Sequence, residues 1–128
     1  YQTLLRDTKH LIFIFPIWWY DVPAILKGFL DKVMLKDFAY KESTLGIEGK
    51  LNHIKHTTVI TTSESPTWYL KFFAHNPIEN NFIKNTLKAI GLNKIKWINN
   101  SQTKSGTNRE RELFLKDIKK HLKRLYFF

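Results

Sequence analysis

The stretch HLIFIFPIWWYDVPAILKGF, His10 to Phe29, leaves few folds open. Leu11–Phe15 is a continuous apolar run with two β-branched residues. A strand that is apolar on both faces must be covered on both, as in a parallel sheet flanked by helices. Asp21 is placed to cap a following helix, with Pro23 in its first turn. Ile25, Leu26, Phe29, Leu30, Val33 and Met34 then recur at three- and four-residue spacing, which predicts a helix with one apolar face. Between strand and helix lies Pro16-Ile17-Trp18-Trp19-Tyr20, the bulkiest side chains of the chain. Rings at the open end of a buried strand add little core volume, but they suit a flat ligand.

The remaining segments extend the alternation. Asp37 to Lys50 reads as a loop punctuated by Gly46 and Gly49. Thr57–Thr62 is β-branched throughout and predicts a second strand. Ser63–Thr67 is a turn, and Trp68–His75 an aromatic loop or short helix. Asn76-Pro77 opens another helix, with Glu79 favourable in its first turn, a stripe of Phe82, Ile83, Leu87 and Ile90, and Gly91 as its stop. Ile95–Ile98 predicts a third strand. Thr107 and Glu110 form a capping-box pattern for a last helix carrying Phe114, Leu115, Ile118, Leu122 and Leu125. The order β-α-β-α-β-α implies an α/β domain over residues 1–128, with a parallel sheet and right-handed crossovers. Leu11–Phe15 is expected at the sheet edge. Ligands of such sheets sit outside the carboxyl ends of the strands. Pro16–Asp21 and Ser63–Tyr69 are therefore expected side by side.

Composition narrows the chemistry. The chain has 128 residues, 43% of them hydrophobic, enough for one domain with its own core. The absence of cysteine excludes disulfides, thiolate metal sites and cysteine nucleophiles. The longest apolar run, Leu11–Tyr20, is interrupted by Pro16 and falls short of the ~20 residues that span a bilayer. These features predict a soluble, cytoplasmic protein without membrane insertion. The formal charge is +10, with one dense cluster at Lys116, Lys119, Lys120, Lys123 and Arg124. A nucleic-acid surface is one reading of that cluster; a solvated helix face that also favours anionic cofactors is the preferred one, since charge alone is not a motif. His53 and His56 are three apart, but among lysines and without a carboxylate close by, so no metal site is expected. Gly-rich phosphate loops are absent, and so is the Gly-x-Ser-x-Gly elbow that would make Ser63, His75 and Glu64 a hydrolase set.

What remains at the two loops is Trp18, Trp19 and Tyr20, then Thr61, Thr62, Ser63, Trp68 and Tyr69, with His75 further on. Aromatic faces, hydroxyls and loop amides suit a planar, electron-poor ring with a polar edge. Plainer readings exist for each: a tryptophan as core or subunit contact, Tyr69 and His75 as a surface pair, Thr61 and Thr62 as ordinary strand residues.

The segment FIFPIWWYDVPAILKGFLDKVMLKDFAY resembles the signature of the flavodoxin-like NAD(P)H dehydrogenases (quinone reductases). That family also contains bacterial modulators of drug activity and ancillary subunits of potassium-efflux systems. VITTSESPTWY is similar to the second ligand loop of the family, and NPIENNFIKNTLKAIGL to the helix after it. The resemblance implies a flavodoxin-like three-layer sandwich of five parallel strands. This chain would supply the last three strands and lack the N-terminal βαβ portion with its phosphate loop. It further implies FAD or FMN as cofactor, NAD(P)H as co-substrate, a homodimer, and hydride transfer through flavin N5 to a quinone-like acceptor, impaired in this chain alone. Carried over, Pro16 would contact the flavin, and the backbone of Ile17, Trp18, Trp19 and Tyr20 would meet its dimethylbenzene-to-N5 side and C4 carbonyl. Thr61, Thr62, Ser63 and Glu64 would meet its pyrimidine edge. Tyr69 and His75 would stabilise negative charge at flavin N1–O2. Trp19, Tyr20, Tyr40, Trp68 and His75 would line the substrate slot. A non-catalytic regulatory subunit of a potassium-efflux system is the alternative within the same resemblance.

Overall fold

A computed structural model describes residues 1–126. The elements are α1 (Gln2–Asp7), β1 (His10–Pro16), α2 (Ala24–Val33), β2 (Tyr40–Ser43), β3 (Gly46–Gly49), β4 (His56–Thr62), α3 (Thr67–Phe72), a π-helix (Ile78–Leu87), β5 (Ile95–Asn100) and α4 (Asn108–Tyr126). β1, β4 and β5 form one sheet in the order β1-β4-β5. Both pairings are parallel, running from His10↔His56 to Pro16↔Thr62 and from Thr57↔Ile95 to Thr62↔Asn100. The β-branched strand is thus central, with Thr57, Thr58, Val59, Ile60 and Thr61 all buried. β1 lies at the edge, as expected.

The two sheet faces are covered unequally. Phe13 and Phe15 point to one face and set their rings edge-on against Phe82 of the π-helix, at 5.4 and 5.2 Å. Leu30 and Val33 of α2 join the same core. Residues one step along point to the other face. There the Thr58 hydroxyl bonds His121 Nε2 of α4 at 3.2 Å. Ile14, on that face but out on the edge strand, is 74% exposed. The basic cluster of α4 lies on exposed positions.

Several expectations need correction. Asp37–Lys50 is not only loop, because β2 and β3 form an antiparallel hairpin within it. The opposed pair Lys41 and Glu48 is ion-paired at 3.1 Å across it, and Gly46 takes the φ of +121° that the turn needs. Asp21 does not cap α2. Its carboxylate accepts the Val22 N–H at 2.7 Å, and the N-cap is Pro23, whose carbonyl accepts from Leu26 and Lys27. α1 was not expected; its buried Leu5 and the Gln2 side chain, which donates to the Val33 carbonyl at 2.9 Å, attach it to the core. Leu115 is 63% exposed, while Phe114, Ile118 and Leu122 are half-buried. The capping box at α4 is present: the Thr107 amide and hydroxyl both donate to Glu110 Oε2, at 2.6 and 2.9 Å. These bonds hold the Glu110 carboxyl below the usual carboxylate range.

The helix opened by Asn76-Pro77 winds as a π-helix. Its buried residues are Ile78, Phe82, Ile83 and Leu87, so each pair separated by five positions, 78 with 83 and 82 with 87, faces the core together. Bonding from residue i+5 back to i, as from the Lys88 N–H to the Ile83 carbonyl, matches that step.

Candidate functional site

Parallel pairing brings the carboxyl ends of β1 and β4 level, at Pro16↔Thr62. The loops leaving them are tied where they separate: the Ile17 N–H donates to the Thr62 carbonyl at 2.8 Å. Beyond that bond they diverge and leave a cleft of about 580 Å³, lined by residues 16–20, 62–65, Leu70 and Thr103. This volume lies within the 300–1,000 Å³ usual for cofactor and substrate pockets.

The first loop makes a tight reversal. Trp18 and Asp21 exchange two backbone hydrogen bonds, each of 3.0 Å, around Trp19 and Tyr20. Both central residues have positive φ, 50° and 63°. Turns of this form favour Asn and Gly, because a side chain at positive φ meets its own backbone. Aromatic residues held there store strain of order 1–3 kcal/mol each. The turn leaves Trp19 95% exposed, so that ring does not contribute to the core. The N–H groups of Trp19 and Tyr20 have no acceptor among the described residues.

The second loop is held from β5. The Ser63 N–H donates to the Asn100 carbonyl at 2.9 Å, and the Thr103 N–H to the Ser63 carbonyl at 3.2 Å. Behind it runs a side-chain network through Trp97, Thr61, Asn99, Ser63 and Thr67. The N–H groups of Glu64 and Ser65, and the Thr62 hydroxyl, have no partner among the described residues. The Glu64 carboxylate turns to Lys104 at 2.8 Å, which offsets its charge at the rim.

A family model described as a flavodoxin-like fold matches residues 1–124. The chain belongs to that family. Its relatives include rat NAD(P)H dehydrogenase [quinone] 1, 41% identical over 68 residues, which make up 53% of this chain and 25% of the rat protein. The crystal structure of Smu.1420 from Streptococcus mutans superimposes with a TM-score of 0.77 at 35% identity, over 91% of this chain and 61% of that one. An FMN-dependent NADH-azoreductase from Bacillus anthracis, solved with FMN, shares the fold with a TM-score of 0.81 at 16% identity, over 97% of this chain and 59% of that one. The flavodoxin-like chain thus spans only part of the length of these proteins.

Within this flavodoxin-like frame the residues singled out from the sequence separate into two groups. Pro16, Ile17, Trp18, Trp19, Tyr20, Thr62, Ser63 and Glu64 line the cleft together. Tyr40, Thr61, Trp68, Tyr69 and His75 do not line it. Thr61 is fully buried beneath it, its hydroxyl engaged by Asn99 and Trp97, so it supports the loop from behind. Tyr69 stacks on Phe73 at 5.9 Å, and Trp68 stands edge-on to both. His75 is exposed at a φ of 58°, and Tyr40 begins the hairpin. The backbone donors also differ from expectation. Ile17, Trp18 and Ser63 use their N–H groups within the protein, which leaves Trp19, Tyr20, Glu64 and Ser65 to offer theirs. Sequence reasoning overlooked Ser65, Leu70 and Thr103. Thr103 follows the carboxyl end of the third strand, and that position was the signal for it.

Proposed function

We propose that the chain is the ring-binding part of a flavin-dependent NAD(P)H oxidoreductase that passes a hydride from NAD(P)H to a quinone or similar acceptor. One observation carries this reading: two loops at the carboxyl ends of adjacent parallel strands each present unpaired backbone donors across one aromatic-lined cleft. A flat heterocycle with acceptors along one edge, FMN or FAD, fits that donor set. The names of the relatives, quinone and nicotinamide oxidoreductases, favour the same chemistry. Bound there, a flavin would supply the two-electron chemistry that side chains lack.

The protein groups have separate tasks. The N–H groups of Trp19 and Tyr20 would hold acceptors on one side of a bound ring. Those of Glu64 and Ser65, with the Thr62 hydroxyl, would hold acceptors on its polar edge. Donors set in place before reaction stabilise negative charge as it develops on that edge. Trp18, Trp19 and Tyr20 would wall the slot and shield one side of a bound ring. Tyr69 and His75 are proposed as further donors, on the segment that contributes Leu70 to the cleft. Trp68, with Tyr40 from a second subunit, completes the substrate slot. A homodimer would cover the aromatic patch of Trp68, Phe72 and Phe73, which are 58%, 78% and 67% exposed. Among the described residues no helix is long and apolar enough to cross a membrane, and the proposed setting is the cytoplasm.

Residues 1–128 contain no Gly-rich phosphate loop, so these residues by themselves should hold the ring and not the phosphate. Titration with riboflavin, FMN and FAD, followed by flavin fluorescence, tests this directly. All three are expected to bind weakly and with comparable affinity. Submicromolar FMN binding with much weaker riboflavin binding would show that these residues do carry a phosphate anchor. Failure of every flavin to bind would end the cofactor reading.

A further inference from the structure

We propose that Asn99 is the positioning residue of the cleft: its side-chain amide locks the Ser63–Thr67 loop and so holds the Glu64 and Ser65 N–H groups at the rim. The loop lock follows from the structure. Its consequence for a cofactor rests on the flavin reading.

The network has a single direction. Trp97 Nε1–H can only donate, and it donates to Thr61 Oγ1 at 2.8 Å. The Thr61 O–H is then free to donate to Asn99 Oδ1, at 2.7 Å. That bond fixes which way the amide faces. Asn99 Nδ2 therefore points at two hydroxyls of the loop, Ser63 Oγ at 2.9 Å and Thr67 Oγ1 at 3.0 Å. Ser63 passes its own proton on to the Ser65 carbonyl at 2.7 Å. Five side chains on β4, β5, the loop and the first residue of α3 are thus joined in one arrangement, with indole N–H at one end and a loop carbonyl at the other. Among the described residues only the Thr67 O–H of this network has no acceptor, and an alternative arrangement leaves further polar groups unpaired, so the network favours one conformation. The Ser63 and Thr61 hydroxyls are consumed by this network, so what the loop can offer a ligand is backbone N–H and Thr62.

The test uses the full chain with Asn99→Leu, Thr67→Val and Thr67→Ser. Amide hydrogen exchange of residues 63–67 is measured without flavin, and binding of FMN is measured separately. Asn99→Leu should speed exchange in this loop while leaving β4 protected, and should weaken FMN binding about tenfold, the scale of one or two lost hydrogen bonds. Thr67→Val should move both readouts the same way to a smaller extent, and Thr67→Ser, which keeps the hydroxyl, should restore both. Unchanged loop exchange in Asn99→Leu overturns the lock. Faster exchange with unchanged FMN binding overturns its role in the cleft. Absence of FMN binding in the wild-type chain removes the cofactor reading, and exchange alone then decides on Asn99. Should Asn99→Leu not fold, the Thr67 pair decides in its place.

Discussion

At the residue scale, two features set what the chain tolerates. Trp19 and Tyr20 occupy left-handed backbone, which costs roughly 1–2 kcal/mol for residues other than glycine. Trp19 is almost wholly exposed, so replacing it removes little packing. Trp19→Asn should raise stability by about 0.5–1 kcal/mol, because Asn accepts this conformation, and should weaken flavin binding. Urea unfolding and an FMN titration on the same variant check both halves; a loss of stability would contradict the strain argument. The second feature is a group of histidines at the opposite, amino end of the sheet. The His10 and His56 rings stack at 5.3 Å, and His121 reaches the same face from α4. Burial lowers the His56 pKa first, helped by His10 and Lys94. Burial also lowers that of His121, helped by Lys96, Arg124 and His56. The unfolded chain therefore binds more protons than the folded one near pH 6, so stability rises with pH there. The contribution is complete above about pH 6.5 and is lost as pH falls through the lowered folded values. The melting temperature should fall between about pH 7 and pH 5.5, and His121→Gln should flatten that slope; an unchanged slope would contradict it.

At the element scale, the hairpin shows why some structure escaped the sequence. Tyr40–Ser43 and Gly46–Gly49 have neither a long apolar run nor strong β-branching, so nothing local marks them as strands. Their pairing is stabilised by the turn at Gly46 and by the Lys41–Glu48 contact, which exists only once the strands meet. The hairpin then seats against the chain just beyond the π-helix. A Cβ on Gly49 would lie 2.1 Å from the Gly91 backbone nitrogen and 2.3 Å from the Ile90 carbonyl carbon. Backbone cannot move aside as a side chain can, so Gly49→Ala should destabilise by about 3 kcal/mol or more. Denaturant unfolding checks this, and a shift below 1 kcal/mol would show that the hairpin can lift without consequence. The π-helix was readable in part. Its apolar spacing marked a helix, but a stripe of Phe82, Ile83, Leu87 and Ile90 suits α-helical winding equally well, so the five-residue step emerged only from the structure.

At the scale of the whole molecule, the sheet is open along β1. Ile14 faces outward there, with Ile25 nearby at 85% exposure, above an apolar groove of about 400 Å³ that also includes Phe29. Unpaired strand edges with apolar side chains promote association. The isolated chain should self-associate with rising concentration, and Ile14→Lys should reduce this while leaving the fold intact. Sedimentation velocity across a concentration series, with circular dichroism as a control, decides it; identical association by both proteins would place the contact elsewhere, such as the aromatic patch of α3.

Local chemistry determined much of this protein. An apolar strand, a proline-led helix, a β-branched strand and a capping box are each written in neighbouring residues, and their order prescribes a parallel sheet with its ligand loops together. The cleft was legible for the same reason, since parallel strands must end on the same side. Tertiary structure decided which groups in those loops remain free. Thr61 and Thr62 are adjacent and chemically alike, yet opposite faces of one strand send the first into the Asn99 network and the second into the cleft. Hydrogen-bond engagement is a property of pairs distant in the chain, such as Trp97 with Thr61 or Ile17 with Thr62, and no single segment carries it.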